Sequence, residues 1–212
     1  MLRILLLLAT SIVLLRAERL ESIVVNLGKH VIMESEVLDY VRLSSFLDET
    51  APDFSPEARR KAATHLVDRF LILQDAALTN ATLASEADLE TVLGPLKARF
   101  QSEERYQAAL RAVGISELVL RAHILAGLRL LRYTDSRFKP EVQITEETLR
   151  ATYQSFLLRQ PKQQSIAPPT FEESREQLEQ LLSNQLAAQA MDRWLDMARG
   201  ETNIVYREAA FR

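Results

Sequence analysis

Apolar positions recur every three or four residues through most of this chain, and gather into short β-branched runs only near its two ends. Ile23–Asn26 (IVVN) and His30–Met33 (HVIM) are β-like, and Leu27-Gly28-Lys29 between them supplies a glycine for a turn. Glu34 or Ser35 opens a helix at once, with Val37, Leu38, Val41 and Phe46 at helical spacing. Pro52 and Pro56 punctuate the following loop, and Pro56 suits a first helical turn, where its missing N–H has no partner to lose. That helix runs to about Leu78 on a stripe of Ala62, Ala63, Leu66, Val67, Phe70 and Leu71.

The pattern continues without a break in kind. Ser85 with Asp88 makes a capping-box-like start for a helix carrying Leu89, Val92, Leu93 and Leu96, which Gly94-Pro95 should bend or end. Ser102 caps a helix with Tyr106, Ala109, Leu110 and Val113, closed by Gly114 in a left-handed position. Ser116 starts another, with Leu120, Ile124, Leu128 and Leu131 on one side and Arg121, Arg129 and Arg132 flanking; Pro140 closes it. Thr145 caps the next, bearing Leu149, Tyr153, Phe156 and Leu157. Arg159–Pro169 is a short, polar, proline-bearing linker. Thr170-Phe171-Glu172-Glu173 is a capping box for the longest helix, expected to reach Arg199 with Gly200 just past its end, a span of about 43 Å. Its stripe is Leu178, Leu181, Leu182, Leu186, Ala190, Trp194 and Ala198. Asn203–Arg207 (NIVYR) is a closing strand, placed to pair with one of the first two, since a lone hairpin is marginal in water. The expected fold is mostly α, with a small sheet tying the two ends together.

Composition narrows the chemistry. Of 212 residues, 47% are apolar, too many for a disordered chain. A formal net charge of −3 argues against duplex DNA as a partner. With no cysteine, thiolate catalysis, cysteine-ligated zinc and disulfides are excluded. Five glycines leave little scope for a glycine-rich nucleotide loop. Residues 1–17 read as an export signal: Arg3 is the positive start and Ile4–Leu15 the apolar stretch, which as a helix rises about 18 Å against a hydrocarbon core of about 30 Å. Ala17 suits cleavage whereas Leu15 and Arg16 do not, so an uncleaved membrane anchor through residues 4–15 stays open.

Five segments in order carry a resemblance. Glu21–Leu38 (ESIVVNLGKHVIMESEVL) resembles the opening of SurA-type periplasmic chaperones: strand, turn, strand and helix start. Arg60–Ala76 is similar to the next helix of that family, and Phe100–Gly114 with Ile115-Ser116-Glu117 to a further segment. Phe138–Tyr153 resembles the stretch that leads into a parvulin-type prolyl isomerase domain. Phe171–Arg199 with Asn203–Arg207 resembles the returning helix and strand. The resemblance implies one multi-helix domain over residues 18–212, split at the linker 159–169, where relatives often carry the isomerase. That linker is too short to hold one, and His30, His65 and His123 all fall within the chaperone-like segments. No isomerase residue is therefore carried over.

The remaining candidates for chemistry favour structural roles. His65 and Asp68 stand three residues apart on one helix but lack a third ligand. His123 reads as a surface or half-buried imidazole. Glu103-Glu104 and Glu146-Glu147 sit in first helical turns, where they meet the positive end of the dipole. Arg59-Arg60-Lys61 and Arg129 with Arg132 read as solvated faces. Trp194, Tyr153, Phe156, Phe70 and Phe100 are core, or line a groove for unfolded chains. No catalytic, cofactor-binding or metal-binding residue is assigned, no cofactor is expected, and the substrate-binding residues stay unknown. The functional expectation is an exported, ATP-independent periplasmic chaperone for unfolded outer-membrane or secreted polypeptides, without isomerase activity. The alternatives are a periplasmic adaptor or dimerisation module, homodimeric through Asn203–Arg207 by strand exchange, and a prolyl isomerase with its site elsewhere.

Overall fold

The computed structural model describes residues 21–139, 143–159 and 169–212. The expected leader, Pro140, and all of the expected linker but its end residues lie outside the described residues. The chain is mostly helical with a small three-stranded antiparallel sheet. In order the elements are β1 (Ile23–Leu27), β2 (His30–Met33), α1 (Glu34–Leu47), α2 (Pro56–Leu78), α3 (Glu86–Ala98), α4 (Glu103–Val113), α5 (Glu117–Phe138), α6 (Glu146–Arg159), α7 (Phe171–Glu201) and β3 (Ile204–Tyr206). A short 3-10 helix, Glu208–Phe211, follows.

The sheet order is β2-β1-β3, so the last strand pairs with one of the first two as expected, and that strand is β1, with Val25 opposite Tyr206 and Leu27 opposite Ile204. Gly28 turns the hairpin at φ +70°, a conformation that costs side-chain-bearing residues but not glycine. The pairing of β1 with β2 is irregular between Ile23 and Val25, and Val24 and Val25 are both buried. A register break of this kind re-aims one side chain and lets two adjacent valines face apolar surroundings.

The anticipated caps form. Ser85 and Asp88 satisfy each other's backbone N–H, and Thr170 and Glu173 do the same; an unanticipated cap is added by Ser55 Oγ, which accepts from Ala58 N–H ahead of Pro56. Gly114 ends α4 at φ +74°. Neither Gly94-Pro95 nor Gly200 ends its helix. Pro95 lies inside α3, because so near the end of a helix it forfeits only one hydrogen bond; Leu96 beyond it is buried and Lys97 reaches Glu117 at 2.5 Å. Gly200 lies inside α7, which stops at Thr202, whose N–H and hydroxyl both bond the Ala198 carbonyl.

The core has three parts. β1 and β2 pack on α2 with Tyr133, Leu195 and Phe211, bringing the first strands and the last residues into one cluster. Leu43 and Phe46 of α1 join Leu89, Leu93, Tyr106, Leu110, Leu120 and Ile124 in a second. Leu149 meets Leu178 and Leu182 in a third, where α6 pairs with the first half of α7. Three expected core positions are exposed. Val92 is exposed on α3. Leu131 continues the face of Leu120 and Ile124, but there the buried side of α5 has passed to Tyr133, which points to α2. Leu181 flanks the stripe that α7 turns to α6 and is left uncovered.

Candidate functional site

A groove of about 300 Å³ lies between α5 and α7. Leu131, Thr134, Asp135 and Lys139 form one wall; Asn184, Ala187, Ala188 and Met191 form the other. Leu131 is 56% exposed at its lip. Leu181, also 56% exposed, precedes Asn184 and Ala188 by three and seven residues and so lies on the same helical face. Small alanines keep the floor shallow, and Met191 supplies a flexible, polarisable wall. Lys139 is held by Asp135 at 3.0 Å. The groove combines apolar surface with a polar rim of Thr134, Asp135, Lys139 and Asn184.

A second feature lies across α1, α2 and α5, where three imidazoles meet aromatic rings. His30 stacks flat on Phe70, with ring centroids 4.3 Å apart. Tyr40 lies between His65, stacked at 5.8 Å, and His123, edge-on at 5.4 Å. Burial pushes the Tyr40 phenol up, although the Ser44 hydroxyl beside it pulls the other way. Burial, aided by the positive charge of Arg69, pushes His123 down to about 4, so this imidazole is neutral at pH 7. Burial also pulls Arg69 below the ordinary arginine range. Two clefts of about 250 and 430 Å³ share Arg69, Glu36 and Leu66.

The sequence-derived candidates separate. His65 turns to Tyr40, whereas Asp68 turns to Arg199, so the two do not converge on a metal. Among the described residues no three His, Asp or Glu groups are placed to hold a metal ion. Glu103 accepts from Gln107, and Glu146 pairs with Arg150 and Arg175, as befits acids of a first helical turn. Two of the basic clusters are not free solvated faces. Arg59 donates to the carbonyls of Ala210 and Arg212, and Arg60 to the Glu208 carboxylate beneath the rings of Tyr206 and Phe211. Arg129 donates to the Ala84 carbonyl, and Arg132 grips Asp88. Trp194, Tyr153, Phe70 and Phe100 are partly buried, against Phe138, Phe171, His30 and Phe46 respectively; the Phe156 side chain lies outside the described residues. Tyr40 and Arg69 were not singled out by periodicity, since their relation to His123 joins three helices and leaves no spacing signal. Among the described residues no helix is long and apolar enough to cross a membrane.

Compared with known proteins, the chain matches no family model and no curated relative.

Proposed function

We propose that the chain is an exported, ATP-independent chaperone of the SurA type that holds unfolded or partly folded outer-membrane or secreted polypeptides and makes or breaks no bonds. The observation that carries this reading is the α5–α7 groove with Leu131 at its lip and Leu181 beyond it. Apolar, methionine-bearing surfaces repack around many partner sequences, which suits a holdase with no single client. The signal-like residues 4–15 and the five resembling segments supply the exported, chaperone half of the proposal.

Light scattering of a denatured outer-membrane protein tests it. The chain at near-stoichiometric ratio suppresses aggregation, and Leu131→Lys with Leu181→Lys abolishes suppression while leaving the thermal midpoint in place. Unchanged scattering with the wild-type chain overturns the chaperone reading. Acceleration of a proline-peptide isomerisation assay above background overturns the non-enzymatic part.

A second reading rests on β3. This strand is at a sheet edge and carries Val205, 51% exposed. Edge strands with apolar side chains pair with further strands, so a dimerisation or adaptor role follows if sedimentation shows a dimer that Val205→Lys dissociates.

A further inference from the structure

Arg69 is a half-buried cation without an acceptor. It stands on α2 where α1 and α5 close over it, and its guanidinium makes no hydrogen bond or ion pair among the described residues. This sets it apart from several other partly buried arginines, among them Arg59, Arg121, Arg129 and Arg199, which donate to carbonyls or carboxylates of the chain. The acids nearest to it are occupied. Glu36 accepts the Met33 N–H at 2.8 Å as part of the α1 cap, and Asp39 accepts from Arg42 at 2.8 Å. Its nitrogens reach the two clefts beside it and are not sealed from water, and the planar fork of a guanidinium matches a carboxylate bidentately.

The walls specify what the carboxylate is attached to. Leu43, Leu66, Val119, Ala122 and Ala126 line the smaller cleft beside Arg69, with the Tyr40 and His123 rings completing it. The larger cleft adds Ile32, Phe70 and Leu73 on the other side of the same arginine. The lining sets one cation among apolar walls but also holds the Glu36 and Asp39 carboxylates, so it suits at most one anionic head on an apolar body and suits a polyanion such as a nucleotide poorly. The charged and titratable groups facing the space are Glu36, Asp39 and Tyr40 from α1, His65 and Arg69 from α2, His123 from α5, and His30 from β2. Among them Arg69 is the one permanent cation.

We propose that Arg69 anchors a binding site, between α1, α2 and α5, for a carboxylate borne on an apolar group. Two sources supply that chemistry: a free aliphatic acid, or the C-terminal residue of a peptide ending in an apolar side chain. The site is separate from the α5–α7 groove and stands or falls independently of it.

The test is a titration of the full chain followed by NMR at the His123 imidazole, with hexanoate, hexanamide, N-acetyl-Ala-Leu bearing a free carboxylate, and its C-terminal amide. Saturable His123 shifts are expected with a carboxylate and not with the matching amide. Bound carboxylate offsets the Arg69 charge, so the imidazole also titrates at higher pH than in the free chain. Arg69→Gln weakens binding at least tenfold, whereas Lys61→Gln, on the neighbouring surface, leaves it unchanged. Should Arg69→Gln fail to fold, Ala122→Leu, which fills the cleft and leaves the charge, must weaken binding instead. Saturation by hexanoate alone identifies a free acid as the ligand; saturation by the peptide identifies a chain terminus. No saturable shift with either carboxylate, equal binding of the amides, or full affinity in the Arg69→Gln protein overturns the proposal.

Discussion

Arg199, in the last turn of α7, reaches Asp68 in the middle of α2 with two nitrogens on one carboxylate oxygen, Nη2 at 2.7 Å and Nε at 2.9 Å. The pair sits at the point where the returning helix meets the element on which the sheet is built. Its side chains are 36% and 18% exposed, so water screens the attraction in part. Asp68→Asn and Arg199→Gln should each lower unfolding free energy by about 1 kcal/mol, and the double variant should cost less than the two together. Urea denaturation of the four proteins of that cycle measures it; strict additivity would show that the pair contributes nothing as a pair.

Asp88 gives the fold a sensitivity to acid. Its carboxylate accepts the Ser85 N–H at 2.7 Å, the Ser85 hydroxyl at 2.8 Å, and two Arg132 nitrogens at 2.9 and 3.1 Å, which together hold it down to about 2. In the unfolded chain an aspartate titrates near 4. The folded state therefore keeps this proton off at pH values where the unfolded state binds it. The stabilisation is complete above about pH 4 and disappears as pH falls towards 2. Asp88→Asn should flatten the loss of stability over that window, as read from thermal midpoints at half-unit steps.

Leu118 and Leu120 lie two residues apart on α5 and have opposite environments, 77% and 0% exposed. Leu120→Ala should cost about 2–5 kcal/mol through lost burial and the cavity left behind. Leu118→Ala should stay within about 0.5 kcal/mol of the parent. Chemical denaturation of both tests the facing of α5; similar losses would mean that its rotation is misassigned.

Tyr106 is fully buried, and its hydroxyl has no hydrogen-bond partner among the described residues. Burial pushes the phenol up to about 12. The ring itself is well used, with the Lys97 ammonium 4.9 Å from its centroid. Tyr106→Phe keeps the ring and removes the orphaned hydroxyl, so stability should hold or rise by up to about 1 kcal/mol. A clear loss in urea midpoint would reveal a hydroxyl partner.

Local chemistry carried most of the secondary structure. Ser85, Ser102, Ser116, Thr145 and Thr170 could be read as caps because a cap is a contact between residues two or three apart. Gly28 and Gly114 were legible for a similar reason, as positions where the chain needs positive φ. The pairing of the last strand with the first followed from the instability of a lone hairpin, although not which of the two strands it joins. Pro95 and Gly200 do not end their helices because proline forfeits one N–H and glycine only some backbone entropy, costs that local context can outweigh.

By itself, the sequence determined the helix count and order over the described residues, the small closing sheet and most of the apolar stripes, since all of these depend on spacing along the chain. Only the tertiary structure decided which stripes stay covered. Leu131 and Leu181 carry the same periodic signal as buried leucines, yet both are exposed, Leu131 at the lip of the groove between α5 and α7. Likewise Arg69 became a lone cation beside Tyr40 and His123 only when three helices brought them together, a relation between elements that no periodicity within one element can encode.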